Sequence, residues 1–381
     1  MENFKLAAKT FAGLETVLAD EIKAIGGMNV QKGRRIVNYE GDLELVYKSN
    51  YLLRTALRIL REITVFQFKD IDQFYLRCKE ISWLKYMNLN QSFIVNSTVS
   101  DSKEFQNSMY ASLKVKDAIA DYFRQKTGKR PDVDTTNPEI FINVHIRRNV
   151  CTLSLDSSGE SLHKRGYRAS QGKAPLSEVL AAGMILLSGW KGDTDFIDPM
   201  CGSGTLPIEA AMIAMNIAPG RFRKFYAFEN WQDYRPDLFE KIKSDRQIKP
   251  MTRTIFASDI SKENILSAQT NARRARVFSN ISFQQADMNN LEINSQDATI
   301  MINPPYGERL VQDNLSELYT MIGQRLKFHF AGNTAWILTS SKDALKNVGL
   351  KPSVKMTLYN GPLECIYASF SLFQGKRINQ L

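Results

Sequence analysis

Residues 297–306 have the sequence Asp-Ala-Thr-Ile-Met-Ile-Asn-Pro-Pro-Tyr, and this stretch decides how the rest of the chain is interpreted. Its apolar run, 297–302, predicts a buried strand of a parallel sheet. Proline gives no N–H to a sheet and fixes its own φ, so the Pro-Pro pair ends that strand abruptly. An Asn-Pro pair alone is typical of a turn. Asn-Pro-Pro-Tyr directly after a buried strand is much more specific.

The residues that end this strand offer two hydrogen-bond acceptors and one aromatic ring. The acceptors are the side-chain amide oxygen of Asn303 and the carbonyl of Pro304, which Pro305 holds stiffly. Two acceptors can hold both hydrogens of a planar –NH2 group, while the ring of Tyr306 stacks on the heterocycle that carries it. We therefore take Asn303, Pro304, Pro305 and Tyr306 as candidate catalytic residues for a reaction at an exocyclic amine.

The composition indicates a globular intracellular protein. The chain has 381 residues, enough for two or three domains, and a net charge of +10. The charge is spread over both halves, which suits a polyanionic partner or an ordinary basic enzyme. The four cysteines are scattered, which argues against a zinc site and a disulfide framework and fits a reducing cytosol. The apolar stretches are too short to span a bilayer, so we expect a cytoplasmic protein without metal or membrane partner.

The first 160 residues alternate short strand and helix patterns, which predicts a small α+β region. An amphipathic helix over Tyr110–Arg124 is rich in basic residues, and these either contact phosphate or form an ordinary solvated face: Lys114, Lys116, Arg124, Lys126, Lys129 and Arg130. A hairpin follows, turned at residues 147–149. The basic stretch Ser161–Arg168 is interpreted as a connector, either lying along nucleic acid or serving as a plain linker.

From Pro175 the pattern lengthens into the strand–helix units of a doubly wound sheet. A strand over Thr194–Ile197 leads into the Gly-rich loop Asp198–Thr205 and a helix, the usual arrangement for binding a ligand. The loop lacks the Lys-Ser/Thr ending of a P-loop and the G-x-G-x-x-G of a dinucleotide fold. Asp198 would repel a diphosphate and suits a ligand that carries an ammonium group.

Two further acids follow strands. Asp259 comes where a ribose diol is held in nucleotide-binding α/β folds. Asp287 can accept from an adenine amino group, with Met288 against the ring. Asp259 follows Asp198 at a much longer interval than the ~20 residues usual for such folds, so residues 219–250 are interpreted as an insertion. Its basic and aromatic residues either bind single-stranded nucleic acid or pack onto the domain.

Together, the residues at the four strand ends (Asp198, Asp259, Asp287 and Asn303) resemble those of the Rossmann-like S-adenosylmethionine-dependent methyltransferases. Within that class, Asn-Pro-Pro-Tyr marks enzymes that act on exocyclic amines. Four stretches resemble the THUMP-domain RNA methyltransferases that make N2-methylguanosine, including the guanine-N2 module of the bacterial large-subunit rRNA enzyme: residues 161–168, 198–205, 303–310 and 360–365.

The resemblance implies an α/β fold: a Rossmann-like seven-stranded methyltransferase domain after an N-terminal α+β region. The implied domains are a ferredoxin-like piece (1–68), a THUMP RNA-binding domain (69–160), a basic linker (161–174) and the methyltransferase domain (175–381). It also implies that S-adenosyl-L-methionine is held by a set of ten residues: Asp198, Cys201, Gly202, Ser203, Gly204, Thr205, Asp259, Ile260, Asp287 and Met288.

The implied reaction is methylation of guanine N2 in RNA, with large-subunit (23S) rRNA as the favoured substrate. Transfer from a sulfonium needs mostly positioning, and the target base must be flipped out of folded RNA. Three alternatives stay open: a tRNA guanine-N2 methyltransferase, an adenine-N6 methyltransferase and a non-catalytic RNA-binding assembly factor. A cytosine-C5 enzyme is rejected, because it needs a nucleophilic cysteine near the fourth strand and Cys201 lies in the cofactor loop instead.

Overall fold

A computed structural model describes residues 2–169, 176–245, 247–305 and 312–373. The chain divides into two compact units. The first contains Met1–Thr10, Ala19–Leu162 and Arg223–Asp245, and the second contains Phe11–Leu18, His163–Phe222 and Arg246–Leu381. Across the described ranges, no helix is both long and apolar enough to cross a membrane.

The N-terminal elements build one antiparallel-rich sheet. In chain order they are β1 (Phe4–Lys9), α1 (Glu15–Ala24), β2 (Met28–Gly33), β3 (Ile36–Gly41), α2 (Leu43–Leu52), β4 (Arg58–Gln67), α3 (Ile71–Lys79), β5 (Phe93–Ser100), α4 (Ser108–Thr127), β6 (Ile140–Arg147) and β7 (Val150–Asp156). The seven strands are ordered β2-β3-β1-β4-β7-β6-β5. The ferredoxin-like and THUMP parts therefore share one continuous sheet, joined where β4 pairs with β7.

This sheet has two unlike faces. On β6, Ile140, Ile142, Val144 and Ile146 are buried, while the alternate residues His145 and Arg147 are exposed. The period of two places these sets on opposite faces. Helix α4 packs beside β5 and buries an apolar stripe that includes Val115 and Ile119, so the helices cover the isoleucine face. The opposite face carries polar side chains.

The remaining elements are α5 (Glu178–Ser188), β8 (Phe196–Asp198), α6 (Thr205–Ala214), α7 (Pro236–Ser244), β9 (Ile255–Asp259), α8 (Lys262–Arg274), β10 (Ile281–Gln285), β11 (Thr299–Ile302), α9 (Gln312–Phe328), β12 (Thr334–Thr339), α10 (Lys342–Asn347), β13 (Val354–Asn360) and β14 (Leu363–Ser371). The second unit's seven strands are ordered β10-β9-β8-β11-β12-β14-β13. The first five are parallel, and β14 runs antiparallel between β12 and β13. The predicted Rossmann-like seven-stranded sheet is confirmed.

Residues 223–245 of the insertion belong to the first unit, where Tyr226, Phe228, Trp231 and Phe239 are buried and Phe225 is exposed. Tyr47 of α2 stacks on Phe228 with ring centroids 4.5 Å apart, and the Arg61 guanidinium lies 4.2 Å from the ring centroid of Trp231. The Tyr47 hydroxyl accepts a hydrogen bond from the backbone N–H of Arg235 at 2.9 Å. The buried rings of residues 219–250 therefore pack against protein, as one of the two interpretations expected, but they do so in the first unit and not in the methyltransferase domain that the insertion interrupts in sequence.

Candidate active site

Four polar residues follow neighbouring parallel strands in the second unit. In the order β10-β9-β8-β11 these are Asp287, Asp259, Asp198 and Asn303. Three strand spacings cover about 14 Å, the scale of a nucleoside with an amino-acid chain. Chain order reverses between β8 and β11, and ligands of open α/β sheets bind beyond the carboxyl ends of the strands at such a switch point. The structure thus brings the predicted residues to one edge.

The loop after β8 is shaped by two glycines in the left-handed region. Gly202 has φ 51° and Gly204 has φ 83°. A Cβ on Gly204 would lie 2.9 Å from Cβ of Ala268, so this glycine lets the loop pack closely on α8. A Cβ on Gly202 would meet open space, which means that the backbone is bare on that side. The loop therefore leaves room for a ligand to approach its peptide groups.

Asp259 joins this loop to the end of β9. Its Oδ2 accepts from the N–H of Gly202 at 2.9 Å, and its Oδ1 accepts from Ser261 N at 2.9 Å and Asn264 Nδ2 at 3.0 Å. A carboxylate has about four acceptor positions, so capacity remains on Oδ2. The next residue, Ile260, exposes 68% of its surface. Asp259 can accept from a ligand hydroxyl beside an apolar side chain.

Asp198 is a buried acid without a compensating cation. It is 1% exposed, and its Oδ1 accepts from Met200 N at 3.2 Å. Burial raises the pKa of Asp198 well above its ordinary value, and the charge of Asp259 acts in the same direction. Among the described residues, no lysine or arginine forms an ion pair with it. Such a carboxylate is stabilised by a proton or by a cationic ligand.

Cys201 has the environment of a structural thiol. It is buried, its N–H donates to the Ser258 carbonyl at 2.8 Å, and burial raises the pKa of the thiol well above its usual range. A thiol held in its protonated form is a poor nucleophile. This agrees with the rejection of a cytosine-C5 mechanism.

The end of β10 differs in part from its expected role. Asp287 caps a short 3₁₀ turn, accepting from Asn289 N at 2.9 Å. Met288 is 2% exposed and packs in the core with Ile197 and Ile300. Its side chain supports the sheet beneath the site, so this placement does not support the expected contact with an adenine ring.

The side chain of Asn303 presents a buried acceptor oxygen directly after β11. Its Oδ1 forms no hydrogen bond within the described part of the chain, although it is buried. Pro304 is buried beside it and Pro305 is half-buried. A buried polar atom left unpaired costs about 1–3 kcal/mol, which favours a donor supplied by a ligand. Tyr306 lies outside the described residues, so its stacking role stays a prediction.

Arg168 contacts the loop after β8, a placement that the sequence analysis did not predict. Its Nε donates to Glu178 Oε1 at 2.9 Å, Nη1 to Ser203 Oγ at 3.2 Å and Nη2 to Thr205 Oγ1 at 3.1 Å. Nearby Tyr167 is buried and donates to Glu209. The described end of the supposed linker thus packs against the loop after β8. The sequence did contain a signal for this contact: each of the apolar helices α5 and α6 holds one acid, Glu178 and Glu209. A buried carboxylate needs a partner, which the basic stretch before α5 could supply.

Replacing Arg168 with alanine is expected to destabilise the second unit by about 3–5 kcal/mol, because Glu178 would stay buried without its partner. The double variant Arg168→Met with Glu178→Met should recover most of that loss. Urea denaturation measures both. Arg273→Ala, at a site where the arginine instead lies over the ring of Phe278, is the control. If Arg168→Ala lowers the stability of the second unit no more than the control does, the stabilising role of the Arg168–Glu178 pair is contradicted.

The strand order, the glycine loop and the Asn-Pro-Pro end of β11 define a Rossmann-like methyltransferase domain. Three family models match the chain: the RMKL-like methyltransferase domain over residues 165–369, the THUMP domain over 68–156 and the RlmL ferredoxin-like domain over 5–60. The chain therefore belongs to the RMKL-like methyltransferase family and carries the THUMP and ferredoxin-like domains. The predicted resemblance is confirmed.

Similar proteins agree with this assignment. The chain is 35% identical over 383 residues to the ribosomal RNA large subunit methyltransferase K/L of Syntrophotalea carbinolica, covering 97% of this chain and 53% of that protein. It is 33% identical to a putative RNA methyltransferase of Synechocystis sp., covering 95% of each. A crystal structure of a putative methyltransferase complexed with SAH has a TM-score of 0.89, with 30% identity over 99% of this chain and 100% of that one. The chain spans about half the length of its K/L relatives.

Proposed function

We propose that this protein is an S-adenosylmethionine-dependent RNA methyltransferase that methylates the exocyclic N2 of a guanine, with large-subunit rRNA as its substrate. The observation that carries the proposal is the buried Oδ1 of Asn303, which has no hydrogen-bond partner among the described residues and lies beside Pro304, one strand away from Asp198. The names of the K/L and Synechocystis relatives support RNA as substrate and rRNA as the favoured class. Guanine rests on the sequence resemblance.

The residues around β8 and β9 fit the cofactor. S-Adenosylmethionine supplies an electrophilic methyl group on a positively charged sulfur. Asp198 offers the buried negative charge that a cationic ligand needs, and the free capacity of Asp259 Oδ2 suits a ribose hydroxyl. The bare backbone at Gly202 leaves room for the amino-acid end, and Ser203 and Thr205 are held by Arg168. In the proposal, Ile260 and Asp287 face the base of the cofactor.

Asn303 and Pro304 would orient the target amine. With both N–H bonds donated to these two acceptors, the nitrogen lone pair is directed out of the amine plane towards the methyl group. Tyr306 would stack on the base and hold it in the pocket after flipping. The chain's contribution is then positioning and electrostatic stabilisation, with no strong base required.

The two units would divide the work. Residues 1–68 and 69–160 would bind RNA, and residues 175–381 would carry the reaction. The described part of residues 161–174 would serve the catalytic unit rather than the RNA, because Arg168 is bonded to Ser203 and Thr205. Described side chains of residues 219–250 would serve the first unit's core, since Phe228 and Trp231 are buried there.

The test is to identify the product. Ribosomal RNA and tRNA are incubated separately with the protein and methyl-labelled cofactor, then digested to nucleosides. We expect labelled N2-methylguanosine from large-subunit rRNA, and a much lower rate of labelling with the Asn303→Ala variant. N6-methyladenosine as the only product would contradict guanine as the target base. Label in tRNA alone would contradict rRNA as the substrate. Cofactor binding without transfer to any RNA would favour a non-catalytic assembly factor.

A further inference from the structure

The polar face of the first unit's sheet contains a cavity of about 610 Å³. It lies where β4 and β6 end and β7 begins, on the face opposite the buried isoleucines. Seven residues line it: Gln67, His145, Arg147, Arg148, Asn149, Val150 and Thr152. Two guanidinium groups, an imidazole, two amides and a hydroxyl thus surround one space, and no carboxylate is among them.

The arginines of this cavity differ from the basic residues of α4. On α4, Lys116 pairs with Asp117 at 3.1 Å, and Arg124 with Asp121 at 3.5 Å. The exposed side chains of Arg147 and Arg148 form no ion pair or hydrogen bond with any described residue. Their charge is therefore available to an external anion, while charge on the helix is partly neutralised.

A lysine lies farther along the same face; burial lowers its pKa, and the charge of Asp156 acts in the opposite direction. Lys9 of β1 reaches over β4 and β7, and its Nζ lies 3.3 Å from Oδ1 of Asn143 on β6. Burial lowers the pKa of His145, and the charges of Lys9 and Arg147 lower it further. A concave cationic surface of this kind is complementary to a polyanion.

The turn between β6 and β7 holds an arginine where glycine would be relaxed. Arg147 pairs with Val150, so Arg148 and Asn149 form the loop, and Arg148 has φ 56°. The left-handed region disfavours a long side chain, and such strain persists where the side chain has a use. Here that side chain lines the cavity.

We infer that this cavity binds backbone phosphates of the substrate RNA, with Arg147 and Arg148 as the phosphate ligands. Guanidinium groups pair with phosphate through two parallel hydrogen bonds, and Gln67, Asn149 and Thr152 can bond to sugars or bases beside it. The inference rests on the proposed function for the identity of the RNA. It places the RNA on the open sheet face and not on α4.

The test measures RNA affinity of the full chain by fluorescence anisotropy, using a labelled RNA hairpin of about 20 nucleotides over a range of salt concentrations. We expect Arg147→Gln and Arg148→Gly each to weaken binding roughly tenfold and to reduce the salt slope by about one. Glycine relieves the backbone at position 148, so the melting temperature of Arg148→Gly should not fall. The control is Lys126→Gln with Lys129→Gln, two exposed lysines in the last turn of α4 and just beyond its end.

Unchanged affinity and slope in both cavity variants, or a larger loss in the α4 control, would overturn the inference. Methyl transfer is measured on the same proteins, and the cavity variants should raise KM for RNA with kcat unchanged. If both variants transfer methyl groups to RNA with an unaltered KM, the RNA-binding role of the cavity is refuted and the proposed function stands. If RNA binding depends on the cavity but the wild type transfers no methyl group, the cavity's role stands and the proposed function is refuted.

Discussion

Replacing Asn303 with alanine is expected to lower kcat for methyl transfer by about two to three orders of magnitude and to leave cofactor affinity unchanged. Asn303 Oδ1 is buried and unpaired in the described structure, so a bound amine gains a bond there that water does not provide. That bond directs the lone pair, and direction matters most in the transition state. The loss should therefore fall on kcat more than on KM for RNA.

Single-turnover kinetics with saturating RNA, and calorimetry with the cofactor, separate these effects. Asn290→Ala is the control, because Asn290 is an exposed asparagine that follows β10, three positions away from β11 in the same sheet. It should keep wild-type rates. An Asn303→Ala protein with kcat within about threefold of wild type would remove Asn303 from the reaction, since losing a hydrogen-bonding group that acts in the transition state costs far more than that.

The sheet was predictable from the sequence because its strands are short apolar runs that end in recognisable residues. The run at 299–302 is buried, and proline ends it as expected. The strand β2, by contrast, was not predicted. Its residues are almost all exposed at the sheet edge, so it has no apolar alternation to detect. Helix α10 has only six residues and gives little helical period.

The two segments whose roles the sequence left open depend on partners that are distant in sequence. Arg168 has the composition of a basic connector until Glu178, Ser203 and Thr205 are brought to it. The insertion mixes arginines with aromatic residues, which also suits RNA binding, and only Tyr47 and Arg61 show that its rings are buried. The local sequence pattern cannot tell side chains that contact RNA from side chains that are buried against protein, because it does not show which segments another part of the chain covers.

Within the candidate site, the sequence predicted where residues lie along the sheet better than it predicted what their side chains contact. Asp198, Asp259, Asp287 and Asn303 do follow neighbouring strands, since parallel strands end at one edge. The side chain of Met288, however, turns into the core. A methionine after a strand can face either a ligand or the layer beneath, and the sequence alone gives both the same apolar signal.

Replacing Asp259 with alanine is expected to weaken S-adenosylmethionine binding by at least about a hundredfold, equivalent to about 3 kcal/mol. Two losses combine. The cofactor loses a charged acceptor for its ribose, and the N–H groups of Gly202 and Ser261 lose the carboxylate that fixes the glycine loop and the start of α8. The core of the sheet lies beneath and is unchanged, so the protein should stay folded at room temperature.

Calorimetry measures the cofactor affinity of the Asp259→Ala variant, after the variant has been shown to be folded. Asn264→Ala is the informative partner, because it removes one donor to Asp259 and leaves the carboxylate in place. If the carboxylate itself binds the cofactor, Asn264→Ala should cost less than about tenfold, since one hydrogen bond contributes about 1 kcal/mol. Equal losses in the two variants would mean that Asp259 acts only by holding the loop. Wild-type affinity in Asp259→Ala would exclude both roles.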